Sequence, residues 1–120
     1  MSLANRKILV VEDDALIAML LEDMLSELDY DVSATAADVD GALVLAEGGA
    51  FDAAILDVSL AGKSSLPVAR LLDEKNKPYI FATGYGALPA GMEGSGRRVL
   101  NKPYQLHQLE AALASLDITG

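Results

Sequence analysis

The stretch Phe51-Asp52-Ala53-Ala54-Ile55-Leu56-Asp57-Val58-Ser59-Leu60 decides the reading of the fold. Residues 53–56 form a short, wholly apolar run that stops at a carboxylate, Asp57, and is followed by a loop holding Ala61-Gly62-Lys63-Ser64-Ser65. A run of this kind, without polar alternation, predicts a strand buried on both faces, the habit of parallel sheets covered by helices. Such sheets gather their chemistry outside the carboxyl ends of the strands, which is where Asp57 falls. Taken alone, Asp57 reads equally as the opening of a turn or the cap of the next helix. The other strand ends must decide.

Towards the N-terminus, Lys7-Ile8-Leu9-Val10-Val11 is a second buried strand, stopped by Glu12-Asp13-Asp14. Asp14 is suited to cap a helix in which Leu16, Ile17, Leu20, Leu21, Met24, Leu25 and Leu28 recur at helical spacing. Residues 30–36 predict another strand. Asp38 then caps a short helix that turns Val39, Ala42, Leu43 and Ala46 inward and ends at Gly48-Gly49. Towards the C-terminus, Ser64 or Ser65 starts a helix with Pro67 in its first turn and Val68, Leu71 and Leu72 on its buried face. Asn76-Lys77-Pro78 ends it. Tyr79-Ile80-Phe81-Ala82-Thr83 is a strand that finishes in a hydroxyl. Residues 84–96 hold five glycines and one proline and have no amphipathic period, so an irregular or mobile segment is expected there. Arg98-Val99-Leu100 is a brief last strand leading to Asn101-Lys102-Pro103. A final helix over residues 104–116 carries Leu106, Leu109, Ala112, Leu113 and Leu116. Strands alternating with helices predict an α/β three-layer sandwich: a five-stranded parallel sheet with right-handed crossovers, in the flavodoxin-like order 2-1-3-4-5.

The composition fits one domain. A chain of 120 residues, 52% of them hydrophobic, buries roughly two-thirds of its unfolded surface. A formal net charge of −9 argues against a nucleic-acid backbone or an anionic membrane as partner. There are no cysteines, hence no disulfide framework and no thiolate metal site. The longest apolar run, residues 15–21, is far short of a membrane span, and no signal peptide is visible, so a cytoplasmic location is expected.

Counted together, the strand ends deliver Glu12 and Asp13, Asp57, Thr83 and Lys102 to one edge of the sheet. The expected strand order makes the first and third strands neighbours, which brings Asp13 beside Asp57. Crowded carboxylates repel unless a cation relieves them, and Mg²⁺ suits a site of carboxylates, water and phosphate oxygens. With Lys102 as a fixed positive charge and Thr83 as a hydroxyl donor, these are the parts that stabilise a phosphoryl group in transfer. A carboxylate can itself be the acceptor.

Val10-Val11-Glu12-Asp13, Ile55-Leu56-Asp57, Ala82-Thr83 and Asn101-Lys102-Pro103 together resemble the CheY-like receiver domain of two-component response regulators, and the resemblance spans residues 1–120. It implies that Asp57 accepts a phosphoryl group from a sensor histidine kinase or a histidine phosphotransfer protein. It further implies that Asp13, Asp57 and the Ser59 backbone carbonyl ligate Mg²⁺, that Glu12 acts through water, and that Thr83 and Lys102 bind phosphoryl oxygens. Such a domain catalyses only its own phosphorylation and dephosphorylation and is not otherwise an enzyme. Phe81-Ala82-Thr83-Gly84-Tyr85 is similar to the motif of the FAT-GUY subfamily, which implies an alphaproteobacterial source and a kinase of the HWE or a related class. Two departures stand out. Ala61 occupies a position often held by Pro, and Val99 stands where an aromatic switch residue is usual, so a ring swinging in behind Thr83 is not expected. Tyr85 reads either as a substitute ring or as an exposed loop tyrosine.

With no output domain expected, the chain would act by phosphorylation-dependent binding of a downstream protein or as a phosphate sink. In such domains helix one and the loop after strand five dock the kinase helices; Leu16 and Met19 are candidates, although core packing is the stronger reading for Leu16. Homodimerisation through the fourth helix, fifth strand and fifth helix is common in such domains. Two alternatives remain. A haloacid-dehalogenase-like phosphatase also uses a strand-end Asp with Mg²⁺, but it wants a second Asp where this chain has Ser59. A degenerate receiver would serve only as a protein-binding module. Gly62-Lys63-Ser64 mimics the end of a phosphate-binding loop but lacks its first glycine, that position being Asp57. His107 and Lys63 read as solvated side chains.

Overall fold

The computed structural model describes residues 6–83, 98–101 and 105–116. In chain order the elements are β1 (Lys7–Val11), α1 (Ala15–Glu27), β2 (Asp31–Ala36), α2 (Val39–Gly48), β3 (Ala53–Asp57), the two-residue strands β4 (Ser59–Leu60) and β5 (Lys63–Ser64), α3 (Leu66–Glu74), β6 (Tyr79–Thr83), β7 (Arg98–Asn101) and α4 (Leu106–Ala114). The main sheet is parallel and runs β2-β1-β3-β6-β7. With the small β4–β5 hairpin set aside, this is the strand order expected from the alternation of elements. The glycine-rich segment 84–96, Tyr85 and residues 102–104, including Lys102, lie outside the described residues.

The pleat divides the core into two layers. Ile8, Val10, Ala53, Ile55, Ile80 and Ala82 point to one face, where Leu21 and Leu25 of α1 and Leu109 and Leu113 of α4 cover them. Leu9, Val11, Ala54, Leu56, Tyr79 and Phe81 point to the other, against Ala42 and Ala46 of α2 and Val68, Ala69 and Leu72 of α3. Successive residues of a strand face opposite ways, so strands covered by helices on both sides must be apolar throughout. The central strands β3 and β6 are buried at every position. Edge strand β2 is largely exposed or half-buried, and a register slip opposite Ile8 and Leu9 leaves Ser33 out of the ladder. Ser33 Oγ donates instead to the Ile8 carbonyl at 3.4 Å.

The helix ends follow the sequence signals. Asp14 Oδ1 accepts from the N–H groups of Leu16 and Ile17 at 2.9 and 3.2 Å, and Asp38 Oδ1 accepts from Gly41 at 2.7 Å. Gly49, at φ 68°, closes α2 in the left-handed region that glycine enters without penalty. Asn76, at φ 58°, ends α3 in the same way.

Three expectations need correction. Leu16 and Leu20 do not join the core. They are 76% and 45% exposed, because the sheet is met only by the narrower stripe of Ile17, Leu21, Met24, Leu25 and Leu28. Leu106, predicted at core spacing, is 38% exposed in the first turn of α4. The segment after Asp57, expected as a loop, is an antiparallel hairpin pairing Ser59 with Ser64 and Leu60 with Lys63.

The start of α3 was open between Ser64 and Ser65. Ser65 occupies the cap position without a side-chain cap bond, while Ser64 Oγ accepts from the Leu66 N–H at 3.1 Å. Ser65 Oγ is buried with no hydrogen-bond partner among the described residues. An unsatisfied buried hydroxyl costs about 1–3 kcal/mol, so Ser65→Ala is expected to leave stability unchanged or raise it by about 1 kcal/mol. Urea unfolding checks this; a clear loss of stability would show that the hydroxyl has a partner.

Candidate functional site

Backbone register builds the site before any side chain is considered. Val11 pairs with Leu56, so Glu12 and Asp57 leave their strands side by side. Asp57 pairs with Ala82, which sets Thr83 one step further along the neighbouring strand. Thr83 pairs with Asn101, the residue before Lys102. Lys102 itself lies outside the described residues, as do any contacts it makes.

The acidic run Glu12-Asp13-Asp14 divides its labour. Asp14 turns away to cap α1. Glu12 is buried, and its Oε2 accepts from the Asp14 N–H at 3.1 Å. Asp13 is exposed, and its Oδ2 accepts from the Ala61 N–H at 2.8 Å. Asp57 is 5% exposed, and its Oδ1 accepts from the Ser59 N–H at 3.3 Å. One carboxylate oxygen from each of Glu12, Asp13 and Asp57 lies within 4.8 Å of the others, the one group among the described residues able to hold a metal ion in this way. Thr83 is fully buried at the end of β6, and Ser59 is exposed at the start of the hairpin.

This arrangement tests the expected metal on the structure's own terms. Three like charges at such spacing repel, and a hard divalent cation with oxygen ligands relieves them. The donors are carboxylate oxygens only, and the open side at Asp13 leaves room for the waters and phosphate oxygens that Mg²⁺ retains. The residues fit the ion.

Of the residues singled out in sequence, Glu12, Asp13 and Asp57 are brought together, and Thr83 lies on the strand next to Asp57. One participant was missed. Ala61 was noted only as standing in for a proline, yet its amide touches Asp13. The signal was present, since a residue that replaces proline regains an N–H and the freedom to adopt positive φ.

A parallel sheet of this order, with three carboxylates gathered over its carboxyl edge, defines a receiver-type signalling domain. The chain belongs to the response regulator receiver domain family, whose profile matches residues 8–114. It is similar to SdrG from Sphingomonas melonis Fr1, with 44% identity, a TM-score of 0.82, and coverage of 95% of this chain and 97% of that one. The receiver domain of PhyR from Erythrobacter litoralis matches with 27% identity and a TM-score of 0.80, over 98% of this chain and 96% of that one. Among curated sequences, the transcriptional regulatory protein TcrA of Mycobacterium tuberculosis is 35% identical over 95% of this chain and 47% of its own length. The chain thus spans about half the length of the curated relatives it matches. Receiver domains are signalling modules of two-component systems. They interact with histidine kinases or phosphotransfer proteins and typically bind Mg²⁺. Among the described residues, no helix is long and apolar enough to cross a membrane.

Proposed function

We propose that this domain accepts a phosphoryl group on Asp57 in a Mg²⁺-dependent reaction with a phosphohistidine of a sensor kinase or phosphotransfer protein. The observation that carries the reading is the cluster of Glu12, Asp13 and Asp57 oxygens within 4.8 Å at the carboxyl edge of the sheet. An Asp57 carboxylate oxygen forms the new P–O bond as the P–N bond to the imidazole breaks, and the imidazole leaves as the neutral base after taking up a proton. Asp57 is held for this by burial and by the Ser59 N–H, which donates to Oδ1 at 3.3 Å. Asp13, Asp57 and the Ser59 carbonyl would hold Mg²⁺ directly, with Glu12 acting through water. When bound, the ion neutralises the carboxylates and draws charge from the phosphoryl oxygens. Thr83 would donate its hydroxyl to one of these oxygens and Lys102 its ammonium to another, stabilising charge as the bond changes hands. The similarity to SdrG, known also in a BeF₃-activated conformation that matches this chain at a TM-score of 0.77, supports the reading.

Within this reading, Phe81-Ala82-Thr83-Gly84-Tyr85 supports membership of the FAT-GUY group and a kinase of the HWE or a related class. Phosphorylated chain then either binds a downstream protein or drains phosphoryl groups from a shared kinase. A long-lived phosphoprotein marks the first and rapid turnover the second.

Incubation with acetyl phosphate and Mg²⁺, followed by Phos-tag electrophoresis, tests the proposal. A retarded band is expected with wild type and none with Asp57→Asn. Absence of the band in wild type, with the donor shown to be active on a control receiver, would return the chain to a purely protein-binding role.

A further inference from the structure

The turn of the β4–β5 hairpin is Ala61-Gly62, with φ of 50° and 83°. Positive φ at both central residues is what a type I′ turn requires, and the usual occupants of the first position are Asn, Asp or Gly. Gly62 adopts this conformation freely. Ala61 carries a Cβ and stays there only where its surroundings hold it. Residues in such conformations concentrate at functional sites.

The surroundings are visible. Leu60 is fully buried, and the Ser65 N–H donates to the Val58 carbonyl at 3.1 Å, so the base of the hairpin is anchored to the core. From that base the turn directs the Ala61 N–H at Asp13 Oδ2, 2.8 Å away and 48 residues distant in sequence. Hydrogen bonds from backbone N–H groups to carboxylates are charge-assisted and directional.

We infer that the Ala61 amide is a positioning group for Asp13, an inference that rests on the metal site proposed above. With Oδ2 held by the amide, the Asp13 carboxylate is oriented before any cation arrives, with one of its oxygens within 4.8 Å of those of Glu12 and Asp57. The amide and the Ser59 carbonyl belong to the same hairpin, so the contact also ties a third ligand to Asp13. Proline, the residue common at this position in similar domains, would fail on two counts: it has no N–H, and its ring fixes φ near −65°. The chain's alanine therefore supports a hairpin and a ligand contact that a proline-bearing chain would have to form differently.

Amide exchange of ¹⁵N-labelled chain, followed by NMR, tests this directly. In wild type the Ala61 amide is expected to be protected at least ~10-fold over Asp13→Ala, and to stay protected when Mg²⁺ is added. In Mg²⁺ titrations, Ala61→Pro is expected to bind about 10-fold more weakly, the usual effect of losing a group that orients a ligand. Ala61→Gly keeps the N–H and tolerates positive φ, so it is expected to stay within about twofold of wild type. An unprotected Ala61 amide in wild type, or Ala61→Pro binding Mg²⁺ as tightly as wild type, would overturn the inference. If Ala61→Pro does not fold, the exchange comparison of wild type with Asp13→Ala still decides. Failure of wild type to bind Mg²⁺ at all would overturn the metal-site reading beneath it, an outcome distinct from equal binding by wild type and the proline variant.

Discussion

Removing Mg²⁺ is expected to lower the melting temperature of this domain by about 10 °C relative to protein held at 100 times the dissociation constant. At that concentration a ligand that binds only the folded state contributes about 2.7 kcal/mol. For a domain of this size each kcal/mol moves Tm by about 4 °C. The physical source is the cluster itself: Glu12 and Asp57 are buried, an oxygen of Asp13 lies within 4.8 Å of theirs, and a cation bound among the three offsets their mutual repulsion. Asp57→Asn removes one of those charges. The variant is therefore expected to melt at a higher temperature than wild type without Mg²⁺ and to respond less when Mg²⁺ is added. Differential scanning calorimetry with and without a chelator, at matched ionic strength, checks both. Matching ionic strength matters because added salt also screens the chain's net charge of −9. A wild-type Tm indifferent to millimolar Mg²⁺ would argue against cation binding at the cluster.

The largest stability loss is expected at Phe81. Its ring is fully buried beneath α2 and α3, in the layer shared with Leu9, Val11, Leu56, Val68 and Leu72. It meets Tyr79 edge to face, with centroids 5.4 Å apart and planes at 83°, a favoured geometry for two aromatic quadrupoles. Its strand lies between β3 and β7, so the surroundings cannot collapse into the space without disturbing two ladders. Phe81→Ala is expected to cost about 4 kcal/mol, from lost burial and the cavity left behind. Total stabilities of single domains are about 5–15 kcal/mol, so this variant would be close to unfolding at physiological temperature. Phe81→Leu keeps most of the volume and is expected to lose no more than about 1.5 kcal/mol. Urea unfolding with unchanged slope but shifted midpoints checks the pair. Equal losses for the two substitutions would show that the ring's shape, and not its volume, is what the core needs.

Much of the site was legible because it is a matter of strand ends. Val11-Glu12-Asp13 and Leu56-Asp57 mark where apolar runs stop, and the strand order follows from alternating elements. Together they place three carboxylates on one edge without any knowledge of side-chain geometry. Asp14 and Asp38 announced their helices for a similar reason, since a cap bonds to amides two or three residues away and so leaves a local signature.

What depended on distant neighbours could not be read this way. Periodicity says which residues of α1 share a side, but not how wide a strip of that side the sheet covers; Leu21 and Leu25 are covered, while Leu16 and Leu20 remain in solvent. The same holds for Leu106 at the start of α4. Ser64 and Ser65 are near-equivalent caps by composition, and only the path of the hairpin gives the amide to Ser64 and buries Ser65. The contact between Ala61 and Asp13 is the clearest case, because it joins residues 48 apart through a backbone N–H that every residue except proline possesses. The sheet, its strand order and the carboxylates at its edge are local consequences of apolar runs and where they end. How those carboxylates are held depends on a turn conformation and a hydrogen bond that exist once the hairpin and the strand end have come together.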